Sequence, residues 1–337
     1  MATWTEAIRE QVSVARLRQL VETLPAPRNR YYAPEAMEET ERRLQEEFSE
    51  TGLPVERRPY KVPEVLRWAI AQRIGRAAPF PARGCNLVAR LEGEEREAVV
   101  VGAHFDTVSE TRGADDNGSG LAAMLELARV LAGMRFRRSV LFVAFDMEEL
   151  DLIGSSILVP RLTRERDVRA ALIFECLAYH DPSPGAQRLP PELEVLYPEQ
   201  VERIRRRSMA ADFNLVLYRR NSLWMARSFA EALTHLSGSD STVLLRDPTD
   251  QPVLGTVLRQ RLDFLHHLTR SDHLPFWEAG VPAIMVTDTA DFRNPNYHTP
   301  KDTPDTLDYG RLAEIVAASA CLLARVAGLR MRGSSAE

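Results

Sequence analysis

The chain has 337 residues, 45% of them hydrophobic, enough to bury at least one large core. A net charge of −5 argues against nucleic acid as the main partner, which ordinarily requires a basic patch. No run approaches the ~18 apolar residues of a membrane span, and the charged, amphipathic opening MATWTEAIREQVSVARLRQL has no uninterrupted apolar core like that of a signal peptide. A cytoplasmic protein with no membrane partner is the expectation. Cys85, Cys176 and Cys321 are odd in number and widely spaced, as expected of free thiols in a reducing compartment.

In chain order, residues 5–24 and 35–51 carry a helical pattern. The second segment opens on Pro34, carries charge pairs and stops at Gly52. VERRPYKV, from Val55, reads as a strand, and residues 64–84 follow no clean period. NLVARLEG reads as a strand ending at Gly93. AVVVGA (98–103) is a continuous apolar run, the pattern of a strand buried on both faces. Residues 119–133 form a helix with Leu121, Met124, Leu125, Ala128 and Leu131 on one stripe. SVLFVAF (139–145), AALIFE (170–175) and PAIMVT (282–287) are further buried strands, and residues 309–329 are a long amphipathic helix. Strands alternating with helices give an α/β class, a three-layer αβα sandwich with a mixed, mostly parallel central sheet. The expected organisation is one domain over 1–337. A helical segment, 1–60, packs on it, and an embellishment over 181–265 sits near the sheet's rim. The Arg-rich stretch 203–207 reads as a solvated helix face.

The chemistry collects at the ends of these strands. His104 and Asp106 follow the first apolar run, Glu148 and Glu149 follow the second, Glu175 ends the third, and His298 lies after the fourth. Open α/β sheets form their sites at this carboxyl edge, so four strands converge on one crevice. Asp106, Asp115, Asp116, Asp146, Glu148, Glu149, Glu175 and Asp272 would crowd it. Carboxylates so close cannot all stay ionised without a counter-charge, and a divalent metal supplies one. Imidazole mixed with carboxylate suits zinc better than magnesium or calcium, with cobalt or manganese as substitutes. Taken singly, each piece has a plainer reading. His104-Phe105-Asp106 could be a hydrogen-bonded pair, GADDNGSG (113–120) a turn, and Glu148-Glu149 a solvated helix start. Their convergence is what points to a metal site.

Four ordered motifs carry a resemblance: GAHFDTVSETRGADDNGSG (102–120), FDMEELDLIGSS (145–156), FECLAY (174–179) and the stretch from SDHLPFWEAG to YHTPKDTPDTLDY (271–309). They resemble the zinc peptidase family that holds the bacterial double-zinc aminopeptidases, glutamate carboxypeptidase II and the glutaminyl cyclases. The resemblance implies two zinc ions per chain: His104 and Glu175 on one, Glu149 and His298 on the other, and Asp116 bridging both. It implies Asp106 as an orienter of His104, Glu148 as the general base, and a cis peptide between Asp116 and Asn117. Tyr297 resembles a tyrosine that hydrogen-bonds the tetrahedral intermediate, and Asp272 shapes the cleft, supports a ligand or caps a helix. Glu175 departs from the Asp usual in the bacterial aminopeptidases. The implied activity is release of N-terminal residues from a peptide or aminoacyl amide. Alternatives are a glutaminyl-cyclase-type acyltransferase, against which Tyr297 in place of Trp counts, and a two-metal carboxypeptidase or deacylase on another amide. Side-chain preference and oligomeric state have no signature here.

Overall fold

The computed structural model describes residues 2–73, 82–250 and 263–330. Eight strands form one sheet: β1 Val55–Lys61, β2 Arg83–Leu91, β3 Glu95–His104, β4 Arg138–Phe145, β5 Val168–Glu175, β6 Asn214–Tyr218, β7 Thr242–Arg246 and β8 Ala283–Thr287. Their order is β1-β2-β4-β3-β5-β8-β6-β7. The centre, β4-β3-β5-β8, is parallel; β1 and β2 add antiparallel pairs at one side, and β6 joins β8 antiparallel at the other. This is the mixed, mostly parallel sheet expected from the alternation of elements.

The central strands read as unbroken apolar runs because both faces are covered. Successive side chains of a strand point to opposite faces. Val99 and Val101 of β3 accordingly join the core with the helices Gly120–Leu131, Leu223–Ser237 and Tyr309–Leu323. Val100, between them, faces the opposite core with Ile153–Glu165, Pro191–Leu196, Pro198–Arg206 and His273–Glu278. The N-terminal helices lie on the first face, where Thr5 Oγ1 meets Cys321 Sγ at 3.0 Å. All three cysteines are buried and free.

Several sequence expectations need correction. Residues 5–24 are not one helix but two, Ala2–Gln11 and Val14–Thr23, because Ser13 leaves the helical conformation and its Oγ accepts the Arg16 N–H. The stretch 64–84 holds a helix, Glu64–Arg73, and the start of β2, while 74–81 lie outside the described residues. The region 181–265 is more than an embellishment, since β6 and β7 extend the sheet itself; its residues 251–262 lie outside the described residues. NLVLY and TVLLR are five residues each, too short for their period to stand out among polar neighbours. The final helix ends at Leu323 and continues as a wider turn to Gly328. Arg203, Arg205 and Arg206 form exposed ion pairs with Asp240, Glu194 and Glu202, a solvated face as read from sequence. No helix among the described residues is long and apolar enough to cross a membrane.

The helix Tyr309–Leu323 begins on Asp308, whose Oδ1 accepts the Arg311 N–H at 2.9 Å. Asp308→Ala removes this cap and should lower unfolding free energy by about 1 kcal/mol, read as a lower urea midpoint with unchanged slope.

Candidate metal centre and active-site cleft

The parallel strands end together at one edge, which fixes the site. His104 closes β3 in register with Phe145 of β4, and Glu175 closes β5 in register with Thr287 of β8. Beyond β4 the chain turns through Met147, at φ 57°, and is pinned there by Asp106. The Asp106 Oδ1 accepts the Glu148 N–H at 3.0 Å and its Oδ2 accepts the Glu149 N–H at 3.1 Å. Its other expected partner, His104 Nδ1, is 3.6 Å from Oδ1 and 3.1 Å from the Asp106 carbonyl. Asp106 thus stands behind both the histidine and the acidic pair.

Asp116 lies in a tight turn, Ala114–Ser119, with a cis peptide to Asn117. Asp302 holds this turn by accepting the N–H groups of Asp115 and Asp116 at 2.9 and 3.2 Å. Asn117 ties it to β5, donating to the Phe174 carbonyl at 2.8 Å. The Asp116 carboxylate then faces two imidazoles. Its Oδ1 is 3.2 Å from His104 Nε2, and its Oδ2 is 2.9 Å from His298 Nε2. Glu175 Oε1 stands 3.3 Å from His104 Nε2, and Glu149 Oε2 stands 3.3 Å from His298 Nε2. Glu148 Oε2 is farther back, 3.9 Å from His104 Nε2.

These two donor triplets suit metal ions. Separations of 3.2 and 3.3 Å match the edges of a tetrahedron whose bonds are about 2.0–2.1 Å, the zinc–nitrogen and zinc–oxygen range. His298 Nε2 is buried with no well-formed hydrogen bond although it lies 2.9 Å from Asp116 Oδ2 and 3.3 Å from Glu149 Oε2, and Glu149 Oε1 is likewise buried and unbonded. Two imidazoles and three carboxylates are also the mixed set that favours zinc over harder cations. Cys176 Sγ is near as well, 3.4 Å from Glu175 Oε1, and burial raises that thiol well above its ordinary range.

Electrostatics divide the carboxylates of the site into one held low and others lifted. Burial alone would lift Asp116, but His104 and His298 outweigh it and hold its carboxyl below the usual range. Burial pulls His104 down, and Glu175 and Glu148 more than reverse this. Burial pushes Glu148 well above the ordinary carboxylate value, against the pull of His104. Burial also lifts Glu149, reinforced by Asp116, to about 7. A buried carboxyl with a raised pKa takes up a proton more readily than a free one, a property a general base needs.

Several supporting groups had no clear signal in the sequence. Ser271 donates to Glu175 Oε2 at 2.6 Å and orients the longer side chain that stands in place of Asp. It opens the stretch SDHLPFWEAG, and a lone serine beside Asp272 carries no metal-ligand spacing of its own. Arg28 is buried, and its guanidinium donates to the carbonyls of Pro25, Phe105, Arg112 and Gly113. Burial lowers its pKa to about 10, opposed by Asp302, Asp116, Asp106 and Glu149. It is a counter-charge to the cleft supplied from 76 residues away in sequence from His104, which no spacing rule would find. Arg270 Nη2 donates to the Tyr297 hydroxyl at 3.3 Å, while the Tyr297 ring stacks on His298 at 3.8 Å.

Asp272 is buried beside the site, and burial, opposed by His104, lifts its carboxyl to about 7. It occupies the N-cap position of His273–Glu278, yet its side chain makes no capping bond, so that reading does not hold. Asp115 belongs to a neighbouring network, accepting from Ala178 N–H and Asn294 Nδ2 at 3.0 Å each. His180, His235, His266 and His267 stand outside both donor triplets. One cleft of about 590 Å³ is lined by Asp116, Glu148, Glu149, Glu175, Tyr297 and His298 together with apolar residues of β6 and β7.

A donor set of this kind at the carboxyl edge of a mostly parallel sheet defines a metal-dependent hydrolase. The chain belongs to peptidase family M28, whose family pattern matches residues 86–214 and 247–323. It is 34% identical over 245 residues to the uncharacterized protein YfbL of Escherichia coli K12, covering 68% of each. It is 29% identical over 222 residues to aminopeptidase YwaD of Bacillus subtilis, covering 65% of this chain but only 38% of that protein. The fold matches BSAP, a zinc aminopeptidase from Bacillus subtilis, with a TM-score of 0.67 at 16% identity, over 96% of this chain and 97% of that one.

Two expectations follow from the geometry. Asp106→Ala frees the Glu148–Glu149 backbone and should weaken metal binding about 10- to 100-fold, measured by competition with a chelating indicator. The second concerns His273, which burial pushes down to about 4. Its unfolded value is about 6.5, so between those values the folded state binds fewer protons. The stability it contributes is present above pH ~6.5 and is lost as pH falls toward 4. The drop in urea midpoint from pH 7 to pH 5 should be smaller in His273→Gln than in the parent, both metal-loaded.

Proposed function

We propose that this protein is a zinc-dependent aminopeptidase that hydrolyses the amide after an N-terminal residue, using two metal ions. The observation that carries the reading is the single Asp116 carboxylate lying 3.2 Å from His104 Nε2 through one oxygen and 2.9 Å from His298 Nε2 through the other. His104, Asp116 and Glu175 would hold one ion, and His298, Asp116 and Glu149 the other. When bound, such a pair lowers the pKa of water and polarises a carbonyl.

The remaining work falls to the chain's own groups. Glu148 accepts the proton of the attacking water and returns it to the leaving amine, a role supported by its burial and raised pKa. Tyr297 receives a hydrogen bond from Arg270, which leaves its own proton free for the oxyanion of the reacting carbonyl. The carboxylates that line the cleft favour a free α-amine, and therefore an exopeptidase over an endopeptidase. Family membership and the aminopeptidase names among its relatives support the same direction.

Elemental analysis of purified protein should give two metal ions per chain. Aminoacyl p-nitroanilides should be cleaved with loss of activity on chelation, and Glu148→Ala should cost at least ~100-fold in kcat with metal content retained. Two bound metals without turnover of any aminoacyl substrate would redirect the reading to another amide. No bound metal under metal-replete conditions would overturn the ligand assignment.

A further inference from the structure

We propose that the deep end of the cleft is a subsite for an extended apolar chain, larger than a single natural side chain, carried by the substrate beside its scissile amide. The proposal rests on the aminopeptidase reading only for which bond is cut. Its basis is the wall built by the two strands that sequence reasoning did not anticipate. Alternation along β6 and β7 sends Leu215, Leu217, Val243 and Leu245 to one sheet face, and Ile204 and Phe213 complete the wall. The same cleft reaches Glu148, Glu175 and His298, so whatever fills the deep end is continuous with the reacting centre.

Three observations indicate a built subsite. First, Leu217, Val243 and Leu245 are only 2%, 3% and 1% exposed, yet they border open volume. Protein interiors are close-packed and leave few voids larger than a water molecule. Here the wall residues fall into two packed groups, Leu217 and Leu245 in one and Ile204, Phe213 and Val243 in the other, and both border the cleft. Second, the size is that of a ligand. An apolar cavity of about 150 Å³ already accepts benzene, whereas this cleft measures about 590 Å³ including its catalytic mouth. Third, the wall strands lie in residues 215–246, the gap between the two parts of the chain that the family pattern matches. Four of the six wall residues thus lie outside the matched family pattern, while Ile204 and Phe213 lie within it. These six wall residues carry no charge or side-chain donor, so recognition along them depends on burial; Gln200, which lines the same cleft, donates from its Nε2 to the Leu244 carbonyl at 3.4 Å.

Burying one methylene is worth about fourfold in affinity or kcat/KM. The test uses p-nitroanilides of straight-chain 2-amino acids, with side chains from ethyl to decyl, on the metal-loaded enzyme. A parallel series of alanine n-alkylamides places the chain on the leaving amine and reports which side of the bond the subsite serves. kcat/KM should climb by about fourfold per methylene beyond the butyl side chain in one series. Val243→Phe, or Ile204→Phe should the first not fold, narrows the chamber and should reduce the ratio of long to short substrates. Calorimetric binding of 1-hexanol, 1-octanol and 1-decanol tests the chamber without any turnover, and affinity should rise along that series. Alkanol binding with no aminoacyl amide cleaved would support the chamber and sink the aminopeptidase reading. Cleavage with no gain beyond butyl in either series, and alkanol affinity independent of length, would overturn the chamber and leave the aminopeptidase reading standing.

Discussion

Asp116 is buried, and its two oxygens each face a different imidazole. Removing a carboxylate from water is costly unless it meets compensating charge. That demand explains much of the surrounding construction. His104 must come from the end of β3 and His298 from the loop after β8, two elements separated in the sheet by β5 alone. The turn carrying Asp116 must be held in place, and Asp302, Asn117 and the Phe174 carbonyl hold it. A small displacement of that turn would separate the carboxylate from one imidazole or the other.

The acidity of the cleft creates a second demand. Glu148, Glu149, Asp272 and Asp302 are all lifted by burial, so without balancing charge part of the cleft holds protons near neutral pH. Arg28 supplies some of that balance from a loop between the N-terminal helices, and its carbonyl partners weld this loop to the segment 105–113. The N-terminal region therefore does more than cover the sheet. It places a buried cation next to the acidic site, a task ordinarily associated with the strands themselves.

A third feature is how the sheet is extended. β6 and β7 add to β8 in the reverse sense and carry the apolar wall of the cleft away from the reacting groups. The candidate metal-binding edge lies within the span matched by the family pattern, whereas four of the six wall residues, Leu215, Leu217, Val243 and Leu245, lie between its two parts.

Much of the site was legible in the sequence because metal-binding chemistry restricts residue type and because buried parallel strands are unbroken apolar runs. His104, Glu175 and the Glu148–Glu149 pair each follow such a run, so their common edge could be read directly. The ordered motifs singled out Asp116 over Asp115, and the two residues indeed face different networks. The sequence by itself determined the class of fold, the strands of the central sheet and the residues gathered at their ends. Tertiary structure alone decided the rest: the counter-charge from Arg28, the orienting bond from Ser271 and the apolar wall from β6 and β7. The physical reason is that periodicity encodes which face of an element is buried, whereas a hydrogen bond across 96 residues or a five-residue strand leaves no period to read.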